Sequence, residues 1–202
     1  MWQKHERLWT PRAAGIAGVV FAVLMAAAIV LVRIALPGGA GGDDIAVDAG
    51  QRSAVQTALA LLPFAGIAFL WFMGALRAQA GEGEDRFVST VFLGSGLVFV
   101  ATLFGSAAAA GSQQHSPFGR HFAYVLLTTY ALRMAAVFIF TTSTIGRRIG
   151  AFPRPLVVFG YLAGLTLLVA GADLPWSELV FPAWALIVSL HMLGGRRPAA
   201  PA

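Results

Sequence analysis

Residues 13–36 read AAGIAGVVFAVLMAAAIVLVRIAL, an apolar run in which Arg33 is the only charged side chain. An α-helix rises about 1.5 Å per residue, so this run can cross the roughly 30 Å hydrocarbon core of a bilayer. Five further apolar runs follow, at about 54–76, 87–110, 122–145, 155–171 and 176–193. The pattern predicts an all-α, polytopic membrane protein with six transmembrane helices in one bundle.

The composition favours the same class of protein. Hydrophobic residues make up 58% of the 202 residues and charged residues only 11%, whereas soluble domains carry about 25% charged residues. The chain has no cysteine, which excludes disulfides, thiolate metal ligands and thiol catalysis. We expect a single six-helix domain over 13–195, preceded by an interfacial cytoplasmic segment, 1–12, and followed by a disordered cytoplasmic tail, 196–202.

The basic residues predict the orientation. With a cytoplasmic N-terminus, ten basic residues fall on the cytoplasmic side and two, Arg52 and Arg120, on the other, as the positive-inside rule requires. Both termini are then cytoplasmic. Topology also explains the net charge of +5, so we expect no nucleic-acid partner. One alternative remains, in which 155–193 forms a re-entrant hairpin instead of two crossings.

Arg133 is the strongest candidate for a functional polar residue, because it lies inside the fourth run. A charge at bilayer depth costs about 2.5–3.5 kcal/mol on insertion scales, and arginine cannot deprotonate to escape that cost. The predicted group around it is Thr129, Tyr130 and Ser95. Three interpretations stay open: a structural arginine held by carbonyls and hydroxyls, a site for a lipid or substrate anion, or a contact with an acidic residue of a partner subunit.

Small residues recur every fourth position in the first, third and fifth runs. The first run has Ala14, Gly18, Ala22 and Ala26, and the fifth has Gly160 and Gly164. Such stripes let helices approach closely. They predict tight packing within one protomer or, alternatively, an oligomer interface.

Residues 62–77, LPFAGIAFLWFMGALR, with the following GEGEDRF at 81–87 and TVFLGSG at 90–96, resemble a family of small polytopic membrane proteins of actinobacteria, including mycobacteria. The resemblance covers about 62–110 and implies a membrane topology and a bacterial plasma membrane, but no activity. It draws attention to Glu82, Glu84, Asp85 and Arg86. This turn is a solvated helix connection, a docking point for a cytoplasmic partner, or an ion-pair partner of Arg147 or Arg148.

The sequence gives little support for a metal site or a catalytic site. His121 and His191 fall at opposite ends of the predicted bundle and cannot share one haem, and no hydrolase or phosphate-loop motif is present. Asp173 and Glu178 share the last external loop, where solvation explains them better than chemistry on a lipid headgroup. Arg33, near the external end of its run, is expected to be structural or to pair with a loop acid. We expect no cofactor and no metal.

These features favour a non-enzymatic protein that contacts membrane lipids and serves as an accessory or stabilising subunit of a larger membrane complex, or forms a homo-oligomer. The alternative is a small transporter or a lipid- or anion-binding protein that uses Arg133.

Overall fold

The computed structural model describes residues 11–35, 49–80, 86–112, 117–169 and 176–194, and all regular elements in these ranges are helical. The long helices are α1 (Pro11–Ala35), α2 (Ala49–Ala80) and α3 (Arg86–Ser112). The chain continues through α4 (Pro117–Val125), a π-helical segment (Leu126–Ala131) and α5 (Leu132–Arg148), which together form one rod. The last elements are α6 (Arg154–Val169), a 3₁₀ turn (Ser177–Leu179) and α7 (Val180–Gly194).

Five of these rods are long and apolar enough to cross a membrane, which confirms the predicted all-helical membrane fold. The second helix is longer than its predicted apolar run of 54–76, because polar residues continue it at both ends. In contrast, α6 has only 16 residues, or about 24 Å at the α-helical rise. It is therefore shorter than the roughly 30 Å hydrocarbon core.

Neighbouring helices pack antiparallel. Between α2 and α3, Gly66 lies against Phe104 and Gly96 against Met73, so residue numbers rise on one helix as they fall on the other. The same relation holds for α1 and α7, where Gly18 lies against Ser189 and Arg33 against Glu178. Two ends of the bundle can thus be distinguished. We call them the Arg33 end and the Arg147 end.

Aromatic rings fill the centre of the bundle. Phe69 of α2 is fully buried, and its ring centroid lies 5.0 Å from that of Phe21, 4.9 Å from Phe99 and 4.9 Å from Phe138. Aromatic pairs at these separations add to the energy of simple burial. Phe69 therefore connects α1, α2, α3 and α5 at one point, and the phenyl ring of Phe181 from α7 lies 5.8 Å away.

The outer surface is apolar as well. Large hydrophobic side chains are exposed on several helices, including Val23 on α1, Ile67 on α2, Leu97 on α3 and Leu162 on α6. In water such a surface would be a liability, whereas in a bilayer it meets lipid chains.

The hairpin of α5 and α6 closes at the Arg147 end. Gly150 has a φ of +67°, a conformation that glycine adopts readily and that commonly ends an α-helix. The N–H of Ala151 then donates to the carbonyl of Gly146 at 2.9 Å. The turn is also bound to α7, since the Nε2 atom of His191 lies 3.2 Å from the Ala151 carbonyl oxygen.

Candidate functional site

Arg33 and Glu178 form a two-point ion pair at one end of the bundle. The Nε atom of Arg33 donates to Oε2 of Glu178 at 3.0 Å, and Nη2 donates to Oε1 at 2.9 Å. The two side chains are 22% and 14% exposed. Parallel hydrogen bonds of this kind fix orientation as well as charge. The pair joins the end of α1 to the start of the last helical rod, and the expected contact of Arg33 with a loop acid is present.

A strained turn places Glu178. Trp176 has a φ of +67°, which is uncommon for a bulky residue with a Cβ atom. Its carbonyl accepts a hydrogen bond from the N–H of Leu179 at 3.0 Å, and this bond closes the 3₁₀ turn that carries Glu178. The acid therefore projects from a short helical turn, which holds its carboxylate more firmly than an open loop would.

A cavity of about 100 Å³ lies beside the ion pair and is partly open to the outside of the bundle. Helices α1, α2 and α3, the α4–α5 rod and the turn before α7 all contribute to its wall. The apolar lining includes Met25, Ile29, Val32, Leu59, Leu62, Phe99, Leu127, Leu132 and Phe181. Arg33 and Glu178 supply the charged part of the lining. The cavity is thus apolar along its walls and has one charged, internally neutralised pair.

The π segment gives the α4–α5 rod two different faces. Leu127, Thr128 and Ala131 line the cavity, whereas Tyr130 is 56% exposed on the outside. The hydroxyl of Thr128 donates to the Tyr124 carbonyl at 2.8 Å, so its hydrogen is already used within the rod. Segments of π-helix occur often at functional sites, and this one forms part of the cavity wall.

Arg133 lies on the outer face of this rod and not at the cavity. Its side chain is exposed, and Nη1 donates to the backbone carbonyl of Thr129 at 2.9 Å. Tyr130 shares this outer surface. Ser95 is buried on α3, and its hydroxyl donates to the Phe92 carbonyl at 3.1 Å. The structure therefore groups Arg133 with Thr129 and Tyr130, while Ser95 is occupied elsewhere.

The small residues of α1 lie at helix contacts. A Cβ atom added to Gly18 would meet the Ser189 hydroxyl and the Phe72 ring, so α1 packs there against both α7 and α2. Ala22 is buried and Ala26 is half-buried. The side chain of Ala14 lies outside the described part of the structure.

The small residues of α6 also face the chain's own helices. A Cβ atom on Gly160 would meet the Ser143 hydroxyl and would lie 3.2 Å from Nε1 of Trp184. A Cβ atom on Gly164 would lie 3.0 Å from the Phe140 ring. Both glycines thus bring α6 close to α5, and Gly160 also brings it close to α7.

The remaining predicted features fall mostly outside the described residues. These are Glu82, Glu84, Asp85, residues 1–10 and the tail 196–202. Arg86 is exposed at the start of α3, where its carbonyl accepts a hydrogen bond from the Thr90 hydroxyl at 2.7 Å. Within the described ranges, no group of three or more histidine or acidic side chains could hold a metal ion.

Sequence reasoning missed the cavity altogether. Most of its lining residues are ordinary apolar side chains from five of the six predicted runs, and nothing in their spacing marks them. The only available signal was the pair of opposite charges, Arg33 and Glu178, which both fall at the same predicted end of the bundle.

Comparison with protein-family models, with curated proteins and with solved structures found no match to this chain.

Proposed function

We propose that this protein is a non-enzymatic, multi-pass protein of a bacterial plasma membrane that binds the apolar chain of an amphiphile between its helices. In this proposal all six rods cross the membrane, both termini are cytoplasmic, and the Arg33 end faces outward. The observation that carries the proposal is the partly open apolar cavity beside the Arg33–Glu178 ion pair.

The cavity favours a bound chain for two physical reasons. Atoms that line an unfilled cavity lose dispersion contacts on one side, and such lost contacts lower stability. An apolar group that enters recovers those contacts. Ligand sites are typically apolar with a few polar groups that set orientation, and here Arg33 and Glu178 are the charged side chains of the lining.

Ala28 and Ala27 offer a matched test. Ala28 is buried and lines the cavity, whereas its neighbour Ala27 is exposed on the outside of α1. The probe is a long-chain alcohol with a photoreactive diazirine at the chain end, added to protein in phosphatidylcholine nanodiscs. Mass spectrometry then maps the labelled residues, and unlabelled alcohol competes.

We expect saturable labelling of lining residues such as Leu62 and Leu127. Ala28→Leu fills part of the cavity, so it should abolish this labelling without lowering the thermal unfolding temperature. Ala27→Leu should leave it unchanged. Labelling confined to lipid-facing residues such as Leu162, or labelling of Ala28→Leu at the level of the unmodified protein, would refute the proposal.

A second function is supported by a separate observation. The side chain of Arg133 is exposed, and Arg133 lies about 21 Å along the helix from Arg147 at the α-helical rise. Within the described residues, its only hydrogen-bond partner is the Thr129 carbonyl. A charge at that depth favours a partner that brings an acidic side chain. The protein would then be an accessory or stabilising subunit of a membrane complex.

Native mass spectrometry of gently extracted protein tests this second function. A stoichiometric protein companion should be present, should be lost in Arg133→Ala, and should be retained in the control Arg147→Ala. Absence of any companion from the unmodified protein would rule out the subunit role, and retention in Arg133→Ala would show that Arg133 is not the contact.

A further inference from the structure

One end of the cavity is formed by the Arg33–Glu178 pair, and we expect the headgroup of a ligand to lie there. This end contains one positive and one negative charge, so its net charge is zero. Arg33 and Glu178 are joined by two hydrogen bonds of 3.0 and 2.9 Å, and both side chains are mostly buried. The guanidinium charge is therefore already neutralised by the carboxylate that lies next to it. Any ligand that enters the cavity meets both charges together.

The Arg33 guanidinium has N–H donors that the ion pair does not use, but the Glu178 carboxylate leaves little room for another anion beside it. A guanidinium has five N–H donors, and the ion pair uses two of them, so three remain. Within the described residues, the Arg33 side chain bonds only to Glu178. A neutral oxygen, such as a hydroxyl or an ester carbonyl, can accept one of these donors without disturbing the pair.

A charged headgroup would bind more weakly at the same place. An anionic headgroup would compete with the Glu178 carboxylate for one guanidinium, which would leave one negative charge poorly compensated in a half-buried setting. A cationic headgroup would meet Arg33 in the same way. The arrangement therefore discriminates against charge of either sign, although it contains a full positive and a full negative charge.

The volume limits the ligand as well. An apolar cavity of about 150 Å³ in another protein accommodates one benzene molecule, and the present cavity is about 100 Å³. It accepts the end of one chain but not two chains side by side.

We infer that the cavity selects neutral single-chain amphiphiles with a hydroxyl or carbonyl oxygen over anionic amphiphiles of the same chain length, and that Glu178 sets this preference. The inference rests on the proposed function of the cavity and names the class of ligand for it.

The test compares 1-dodecanol with dodecyl phosphate, which differ only in the headgroup. Each competes with the photoreactive alcohol in phosphatidylcholine nanodiscs, and concentrations are expressed per lipid in the bilayer. For the unmodified protein we expect dodecanol to compete at least tenfold more strongly. Equal or stronger competition by dodecyl phosphate would overturn the inference.

The variant Glu178→Gln gives the decisive comparison. It keeps the size of the side chain but removes the negative charge, so Arg33 becomes an uncompensated cation and dodecyl phosphate should become the stronger competitor. The control Arg147→Gln removes a charge at the opposite end of the bundle and should keep the preference for dodecanol. An unchanged preference in Glu178→Gln would show that Glu178 does not set the selectivity.

The proposed function and the headgroup preference can fail separately. If both amphiphiles compete equally and Ala28→Leu blocks both, the cavity binds chains but does not select headgroups. If neither competes, the proposed function itself fails. The competition experiment on the unmodified protein needs no variant. The headgroup preference can therefore be refuted even if Glu178→Gln folds poorly.

Discussion

The Ser143 hydroxyl of α5 and the indole nitrogen of Trp184 in α7 both approach Gly160 of α6, at the place where a Cβ atom would project. Both polar atoms are buried, and within the described part of the chain neither has a hydrogen-bond partner. Three helices thus meet at a residue without a side chain. The absence of a Cβ atom at position 160 is what allows this approach.

Gly160→Ala should therefore destabilise the protein. The new methyl group would meet Ser143 and Trp184, and overpacking of this kind costs about 1–3 kcal/mol. The measurement is the midpoint of thermal unfolding in detergent. Gly94→Ala serves as the control, because a Cβ atom there meets nothing within 4 Å and alanine is the better helix former by up to about 1 kcal/mol. Equal midpoints for the two variants would contradict the packing.

Ser143→Ala should rescue part of that loss. It removes a buried hydroxyl oxygen that has no partner within the described residues, so on its own it should be neutral or stabilising. Combined with Gly160→Ala, it removes the nearest of the clashing atoms. A double-mutant cycle should give a favourable coupling of about 1 kcal/mol, since residues in contact couple by about 0.5–3 kcal/mol. Strict additivity would mean that the two positions do not touch.

Phe69→Ala should be the most damaging change in the aromatic core. Phe69 is fully buried among rings from four other helices, and truncation of a buried phenylalanine costs about 3–5 kcal/mol. Phe64→Ala on the same helix is the matched control, because Phe64 is 63% exposed. Its effect should stay within about 0.5 kcal/mol. Comparable losses for both variants in thermal unfolding would argue against the assigned faces of α2.

Breaking the ion pair should cost more than a surface pair would. Exposed pairs contribute up to about 1 kcal/mol, whereas removal of one partner from a buried pair costs about 3–5 kcal/mol. Arg33 and Glu178 are mostly buried, so Glu178→Ala should cost about 2 kcal/mol between these limits. Arg33→Ala in the Glu178→Ala background should add much less than it does alone. Independent losses in that cycle would mean that the pair is not formed in the membrane.

The helices could be predicted from sequence, since an apolar run such as 13–36 has one favourable solution in a bilayer. The ends could not, because α2 begins at Ala49 and continues to Ala80 through polar residues that carry no stop signal. The π segment could not be predicted from the sequence either, because LLTTYA contains neither proline nor glycine. Partners 145 positions apart, such as Arg33 and Glu178, become neighbours only once α1 and α7 pack, and a cavity exists only between assembled helices.

The π segment also determines where the α4–α5 rod can lose a residue. A π turn holds one residue more than an α turn, so the extra residue is accommodated locally, between Leu126 and Ala131. Deletion of one residue there would restore regular winding and leave the face of α4 unchanged, whereas the same deletion within α5 would rotate the two sides of the rod by about 100° relative to each other. Tyr124 would keep its place in the cavity wall in the first case and lose it in the second. The π segment is thus the place where this rod can be shortened without turning α4 away from the pocket.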